Sequence, residues 1–101
     1  MALFQTRSKE EYISIEFRNG NNVTIGANSS VNPNLVQYGT SYTLSDYKPI
    51  GIISYATGAA NVFFRGIDLD DISNVRIDNI TSSSVTINAN TMKIMGKFVK
   101  K

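Results

Sequence analysis

The chain has no cysteine and no histidine, and these two absences remove most of the common routes to catalysis. Without cysteine there is no disulfide, no thiolate nucleophile and no Cys-based metal site. Without histidine, neither a Ser-His-Asp nor a Cys-His arrangement can be built, and the commonest metal ligand is missing. No apolar run reaches the roughly 18 residues that a membrane span needs, so no membrane insertion is expected. The opening residues Met1-Ala2-Leu3-Phe4-Gln5-Thr6-Arg7 lack the basic region and apolar stretch of a secretory signal, so export is expected only by lysis or on a particle. Helix formers are scarce too, with Leu and Ala together numbering 10.

What is abundant points the other way. Val and Ile number 19, and Asn, Ser and Thr add 30 more. β-branched side chains fit a pleated surface, and Asn and Ser serve turns, so the composition is that of strands and turns. At 101 residues the chain is expected to form one domain, long enough to bury roughly two-thirds of its unfolded surface without a covalent staple.

Periodicity places the strands. In Glu11–Arg18, Ile13, Ile15 and Phe17 alternate with Ser14, Glu16 and Arg18, the period of a half-buried antiparallel strand. The turn-like Asn19-Gly20-Asn21 then leads into Val23-Thr24-Ile25. A three-residue loop there predicts a hairpin pairing Phe17 with Val23 and Ile15 with Ile25, because a two-residue loop would flip the second strand's apolar face. Residues 26–41 are turn-rich, with Leu35 and Val36 as expected anchors, and read as a long loop or short edge strand. Tyr42–Leu44 predicts a short strand. Pro49–Tyr55 is almost continuously apolar, which predicts a strand buried on both faces. Asn61–Leu69, Val75–Ile77, Val85–Ile87 and Met92–Val99 follow, with Thr81–Ser84 as a polar hairpin tip. About eight short strands at this spacing predict an antiparallel β-sandwich, jelly-roll-like. Its expected core is Ile13, Ile15, Phe17, Val23, Ile25, Ile50, Ile52, Val75, Ile77, Val85 and Ile87.

Charge and chemistry add little that is specific. The net charge is +2, and Lys93, Lys97, Lys100 and Lys101 gather at one end with no acid among them. A solvated terminal strand accounts for that, and no nucleic-acid partner is expected, since aromatics are not interleaved with the lysines in sequence. Asp68, Asp70 and Asp71 are the candidate carboxylates that glycoside hydrolysis could draw on. Asp-Leu-Asp-Asp between strands reads instead as a turn in which Asp caps its own backbone, and it lacks the spacing of a calcium loop. No glycine-rich phosphate loop is present. The chain is therefore expected to be no enzyme, with no metal and no cofactor. Asn22, Asn28 and Asn79 begin Asn-x-Ser/Thr triplets that chance supplies in so Asn-rich a chain. Tyr38, Tyr42 and Tyr47, in or beside the loop-rich region, could each offer an apolar face and a polar tip to a partner or sugar. Pro49 at a strand start costs no ladder hydrogen bond, and Gly51 in a dense apolar strand points to a bulge or to close approach of another chain.

Two stretches carry a family resemblance. Tyr47-Lys48-Pro49-Ile50-Gly51-Ile52-Ile53-Ser54-Tyr55 resembles the G-Y-x-P-I-G-I-x-x-(Y/F) segment of small β-sandwich domains in bacteriophage tail-fibre and other virion-appendage proteins. Val75 to Ile87, with Asn79-Ile80-Thr81-Ser82 at its centre, is similar to the later V-x-V-x-N-x-(T/S)-S segment of such domains, and Met92–Val99 would be their terminal strand. The resemblance implies a virion structural protein of the fibre, baseplate or head-decoration kind, located on the particle, with other virion proteins as partners and a host-surface role. It also implies homotrimers. Apart from the resemblance, Ile50–Ile53 and Val62–Phe64 are apolar at adjacent positions and need cover on both faces, and Gly51 allows close approach, so Gly51, Ile53, Phe63 and Phe64 are expected at a subunit interface. The alternative expectation is a carbohydrate-binding module of a bacterial or phage surface protein, with the tyrosines as its site and a host-surface glycan as ligand.

Overall fold

The computed structural model describes residues 11–101. Its strands there are β1 Tyr12–Asn19, β2 Val23–Ile25, β3 Ser30–Val31, β4 Leu35–Gln37, β5 Tyr47–Ala56, β6 Val62–Gly66, β7 Arg76–Asn79, β8 Val85–Ile87 and β9 Lys93–Lys100. Two single 3₁₀ turns, Leu44–Asp46 and Ile72–Asn74, complete the regular structure of the described residues. The fold is all-β, as the composition predicts.

The strands pair by nesting. β1 pairs with β9 (Ile15 opposite Gly96), β2 with β8 (Ile25 opposite Val85) and β3 with β7 (Val31 opposite Ile77), all antiparallel. The three ladders share a midpoint near residue 55, so the chain doubles back as one long hairpin and is then wound into layers. That is the pairing logic of a jelly roll. β4 and β5 extend the first ladder into a four-stranded sheet of order β4-β1-β9-β5, and β6 extends the third into β3-β7-β6. β9 already has β1 on one side, so β5, from the middle of the chain, takes the other side and becomes the sheet's edge.

One core joins all three sheets. Ile15 and Phe17 of β1 and Ile94 and Phe98 of β9 meet Ile25, Val62, Ile77 and Ile87 from the other sheets, with Leu35, Val75 and Met92 among them. The Phe17 and Phe98 rings lie 6.3 Å apart, tilted by 56°. Gly96 faces this core between Ile94 and Phe98. A Cβ on Gly96 would come within 2.8 Å of Leu69 Cδ1 and 3.0 Å of Phe98 Cε1, so the missing side chain is the space Leu69 fills.

Several expectations are corrected. β1 and β2 form no hairpin: Phe17 lies opposite Ile94 and Gln37 rather than Val23, and Ile25 lies opposite Val85 rather than Ile15. Asn19 is the reason. It is no turn residue but the last inward position of β1, fully buried. Its Nδ2 donates to the carbonyls of Asn21 (3.1 Å) and Asn88 (2.9 Å), and its Oδ1 accepts from the Met92 N–H (2.9 Å). The chain thus leaves β1 for another sheet, and Ile15 and Ile25 reach the same core from opposite layers. Thr81–Ser84 is no hairpin tip either, since β7 and β8 belong to different sheets. Tyr42–Leu44 forms no strand: Gln37 reaches across, its Nε2 donating to the Tyr42 carbonyl (2.7 Å) and its Oε1 accepting from the Tyr42 N–H (2.9 Å). Of the two anchors in residues 26–41, Leu35 is buried and Val36, its alternate neighbour, is exposed. Ile13, Val23 and Val85 only flank the core.

The largest correction concerns β5. It is an edge strand rather than a doubly buried one, and Ile50, Ile52, Ile53 and Tyr55 are 46–59% exposed. A continuous apolar run has no face of its own, so its pattern does not distinguish a covered strand from an uncovered one.

Candidate functional site

The acidic cluster is a turn. Asp68 Oδ1 accepts from the backbone N–H groups of Asp70 (3.0 Å) and Asp71 (3.2 Å). Asp71 caps the 3₁₀ turn Ile72–Asn74, its Oδ1 accepting from the Ser73 N–H at 3.1 Å and from the Ser73 hydroxyl. The carboxylates of Asp68 and Asp71 are thus occupied by backbone they shape. Among the described residues no group of three or more acids, histidines or cysteines is placed to hold a metal ion.

The three tyrosines do not form one platform. Tyr42 and Tyr47 meet edge to face, centroids 5.4 Å apart, and both pack against the core. Tyr38 lies beyond β4, on the opposite side of the four-stranded sheet from Tyr47, with the Arg18 guanidinium 3.6 Å above its ring. Arg18 also donates to Glu16 at 2.6 Å. The register brings together residues that lie apart in sequence: Arg18 stands opposite Lys93, Ser14 opposite Lys97 and Tyr12 opposite Val99. The Lys97 ammonium lies 5.9 Å from the Tyr12 ring. The outer sheet face therefore carries cations beside aromatic rings, an arrangement visible only once β1 and β9 are paired.

A second polar group lies on the β3-β7-β6 sheet. Asp78 takes Arg65 Nε at 3.1 Å on one oxygen and has Arg65 Nη2 at 3.1 Å from the other. Arg76 donates to Ser30 from the neighbouring strand. A hydrogen bond from Ser30, then the Arg65 contacts, hold the Asp78 carboxyl below its ordinary pKa. Asn28, Ser29, Ser30, Arg65 and Asp78 line a shallow depression of about 250 Å³ beside this group.

The residues expected at an interface gather at the other end of both sheets. Gly51 and Ile53 lie on the free edge of β5, and Phe63 and Phe64 on β6, the free edge of its own sheet. Tyr55 and Phe64 bring the two edges together, rings edge to face at 5.8 Å. Ile52, Tyr55, Phe64, Gly66 and Ile67 line a groove of about 220 Å³ between them. Phe63 remains 53% exposed, so residues 26–41 do not fold over it. From Pro49 to Phe64 there is no charged residue.

Asn79 is the residue whose role sequence reasoning missed. It is buried, and both ends of its amide are occupied. Its Nδ2 donates towards the carbonyls of Ile25 (3.1 Å), Gly26 (3.1 Å) and Ser83 (2.8 Å). Its Oδ1 accepts from the Thr81 N–H (2.9 Å) and hydroxyl (2.7 Å). The Asn-x-Thr triplet here is a structural plug that ties β2 to the start of β8. No known protein family, characterised protein or solved structure compared with this chain matches it.

Proposed function

We propose that the chain is a bacteriophage virion structural protein, a fibre, baseplate or head-decoration module that works by assembling with copies of itself and with other virion proteins. The observation that carries the assembly half is the uncharged edge: half-exposed Ile50, Ile52, Ile53, Tyr55 and Phe63 on adjoining strand edges, with no charge from residue 49 to residue 64. Monomeric proteins blunt such edges with charge, because an open apolar strand recruits other chains. The virion half rests on the resemblance of residues 47–55 and 75–87, whose features have physical reasons here: Pro49 lies on an edge strand, and Asn79 plugs the turn that follows β7. An antiserum to the purified chain tests it. Particles from a lysate of the source culture, banded on a density gradient, should carry the chain. A chain found only in the soluble fraction would refute the reading.

A further inference from the structure

We propose that the free edge of β5 is completed by β5 of a second copy of this chain, antiparallel across a two-fold axis near Ile53, so that two four-stranded sheets become one of eight strands. This rests on the assembly reading above and sharpens it, deriving the symmetry from the edge itself rather than from the three-fold packing the resemblance implies.

The first argument is exposure on both sides. From Ile50 to Ala56 every residue of β5 is exposed. A partner packed on one face would cover only alternate side chains. A strand added at the edge supplies cross-strand neighbours to both faces at once and takes up the open backbone N–H and C=O groups. Ile50, Ile52, Ile53 and Tyr55 are each about half exposed along this one strand.

The second argument is glycine without an internal cause. Gly39 and Gly58 have positive φ, and a Cβ on Gly20, Gly26 or Gly96 would meet a neighbour within 3.4 Å. Gly51 and Gly66 have neither positive φ nor any atom within 4 Å of a would-be Cβ, and they lie on β5 and β6, each an edge strand of its own sheet among the described residues.

The third argument selects the partner edge. β4, at the far side of the same sheet, has three residues and β6 has five, against ten for β5. Among the edge strands of the described residues, only another β5 matches the length. Lys48 and Pro49 guard the beginning of the strand, which confines pairing to residues 50–56. The register shifts at Pro49/Gly51 and Ile52/Ser54 twist the strand against β9 without hiding its apolar side chains.

The absence of cysteine makes the test clean. Ile53→Cys in the full chain, oxidised at low micromolar concentration, should give a covalent dimer on a non-reducing gel. Val36→Cys, at an equally exposed position on the far edge, should not. In sedimentation velocity the unsubstituted chain should run as a dimer and I53K as a monomer with an unchanged far-UV circular dichroism spectrum. A monomeric unsubstituted chain at high micromolar concentration, an uncrosslinked I53C, or a trimer indifferent to I53K would each overturn the pairing. Such a chain could still band with particles, which would leave the virion reading standing. A β5-dependent dimer absent from particles would do the reverse.

Discussion

Asn79 gives the sharpest energetic prediction. Its amide holds three carbonyls and one backbone N–H that belong to residues in three different strands and loops, at a site 1% exposed to solvent. Asn79→Ala takes the donor from the buried Ile25 carbonyl and the partner from the part-buried Gly26 carbonyl and Thr81 N–H, while the Ser83 carbonyl keeps the Thr81 hydroxyl. A buried polar group that loses its partner costs about 1–3 kcal/mol, and relaxation and water entry recover some of several such losses. A total of about 3 kcal/mol is expected, which for a chain this size is a fall in Tm of roughly 12–20 °C. Asn79→Asp is the more telling change. It keeps the shape but turns the donor into an acceptor facing three carbonyl oxygens, so at pH 7 it should cost more than alanine does. Its carboxyl would be held above the ordinary carboxylate pKa, since only the protonated form can donate. The ionisation penalty is then full above that raised folded-state pKa, and it shrinks as pH falls from there to the unfolded-state value. Urea unfolding followed by circular dichroism, each variant against the unsubstituted chain at one protein concentration and at both pH 7 and pH 4, measures this. A milder effect of Asn79→Asp than of Asn79→Ala at pH 7, or a penalty that does not shrink at pH 4, would refute the account of the plug.

Three further outcomes follow from local geometry. Gly96→Ala should cost about 1–2 kcal/mol, because Leu69 can shift but the Phe98 ring cannot; chemical denaturation reads it. Asn90 has φ 65°, so Asn90→Ala should cost about 1 kcal/mol while Asn90→Gly should be close to neutral, a difference visible in paired thermal melts. The lowered pKa of Asp78 stabilises the fold above the unfolded-state carboxylate pKa, and this stability is lost as pH falls through the lowered folded value. Asp78→Asn should therefore flatten the acid side of the stability–pH curve relative to the unsubstituted chain, and an unchanged acid limb would contradict the Ser30–Asp78–Arg65 arrangement.

The strands with clean alternation are legible in the sequence. Ile15 and Phe17, Val75 and Ile77, and Ile87 all reach the core that their spacing predicts. Their partners are not legible. A loop-sized Asn-Gly-Asn favours a local hairpin, yet β1 pairs with residues about eighty positions away, and the bonds that redirect the chain come from Asn19, a residue type that usually marks a turn. Gln37 and Asn79 likewise act through side-chain contacts to backbone outside their own strands, which no local pattern reports. At the candidate interface the apolar character of Ile53 and Phe63 is readable, but their exposure depends on which strand ends at the sheet edge. That is decided by β9 for Ile53 and by β7 for Phe63, not by their own neighbours. The grouping of Tyr12, Arg18, Lys93 and Lys97 on one face needs the β1–β9 register before it can be seen at all.

The pairing of β1 with β9 also governs the order in which the fold can form. β9 lies between β1 and β5, so a chain still in synthesis holds two strands of its largest sheet waiting for one that does not yet exist. A ladder closing about 80 residues carries about 2 kcal/mol more closure entropy than one closing about ten, at ~0.6 kcal/mol per doubling. Folding dominated by such distant pairs is slow. Until β9 pairs, the uncharged run from Pro49 to Phe64 has no strand beside it in the largest sheet. The strand that would meet its like in the proposed dimer is thus the one most apt to meet it too early, and the speed at which β9 pairs sets the competition between folding and premature association.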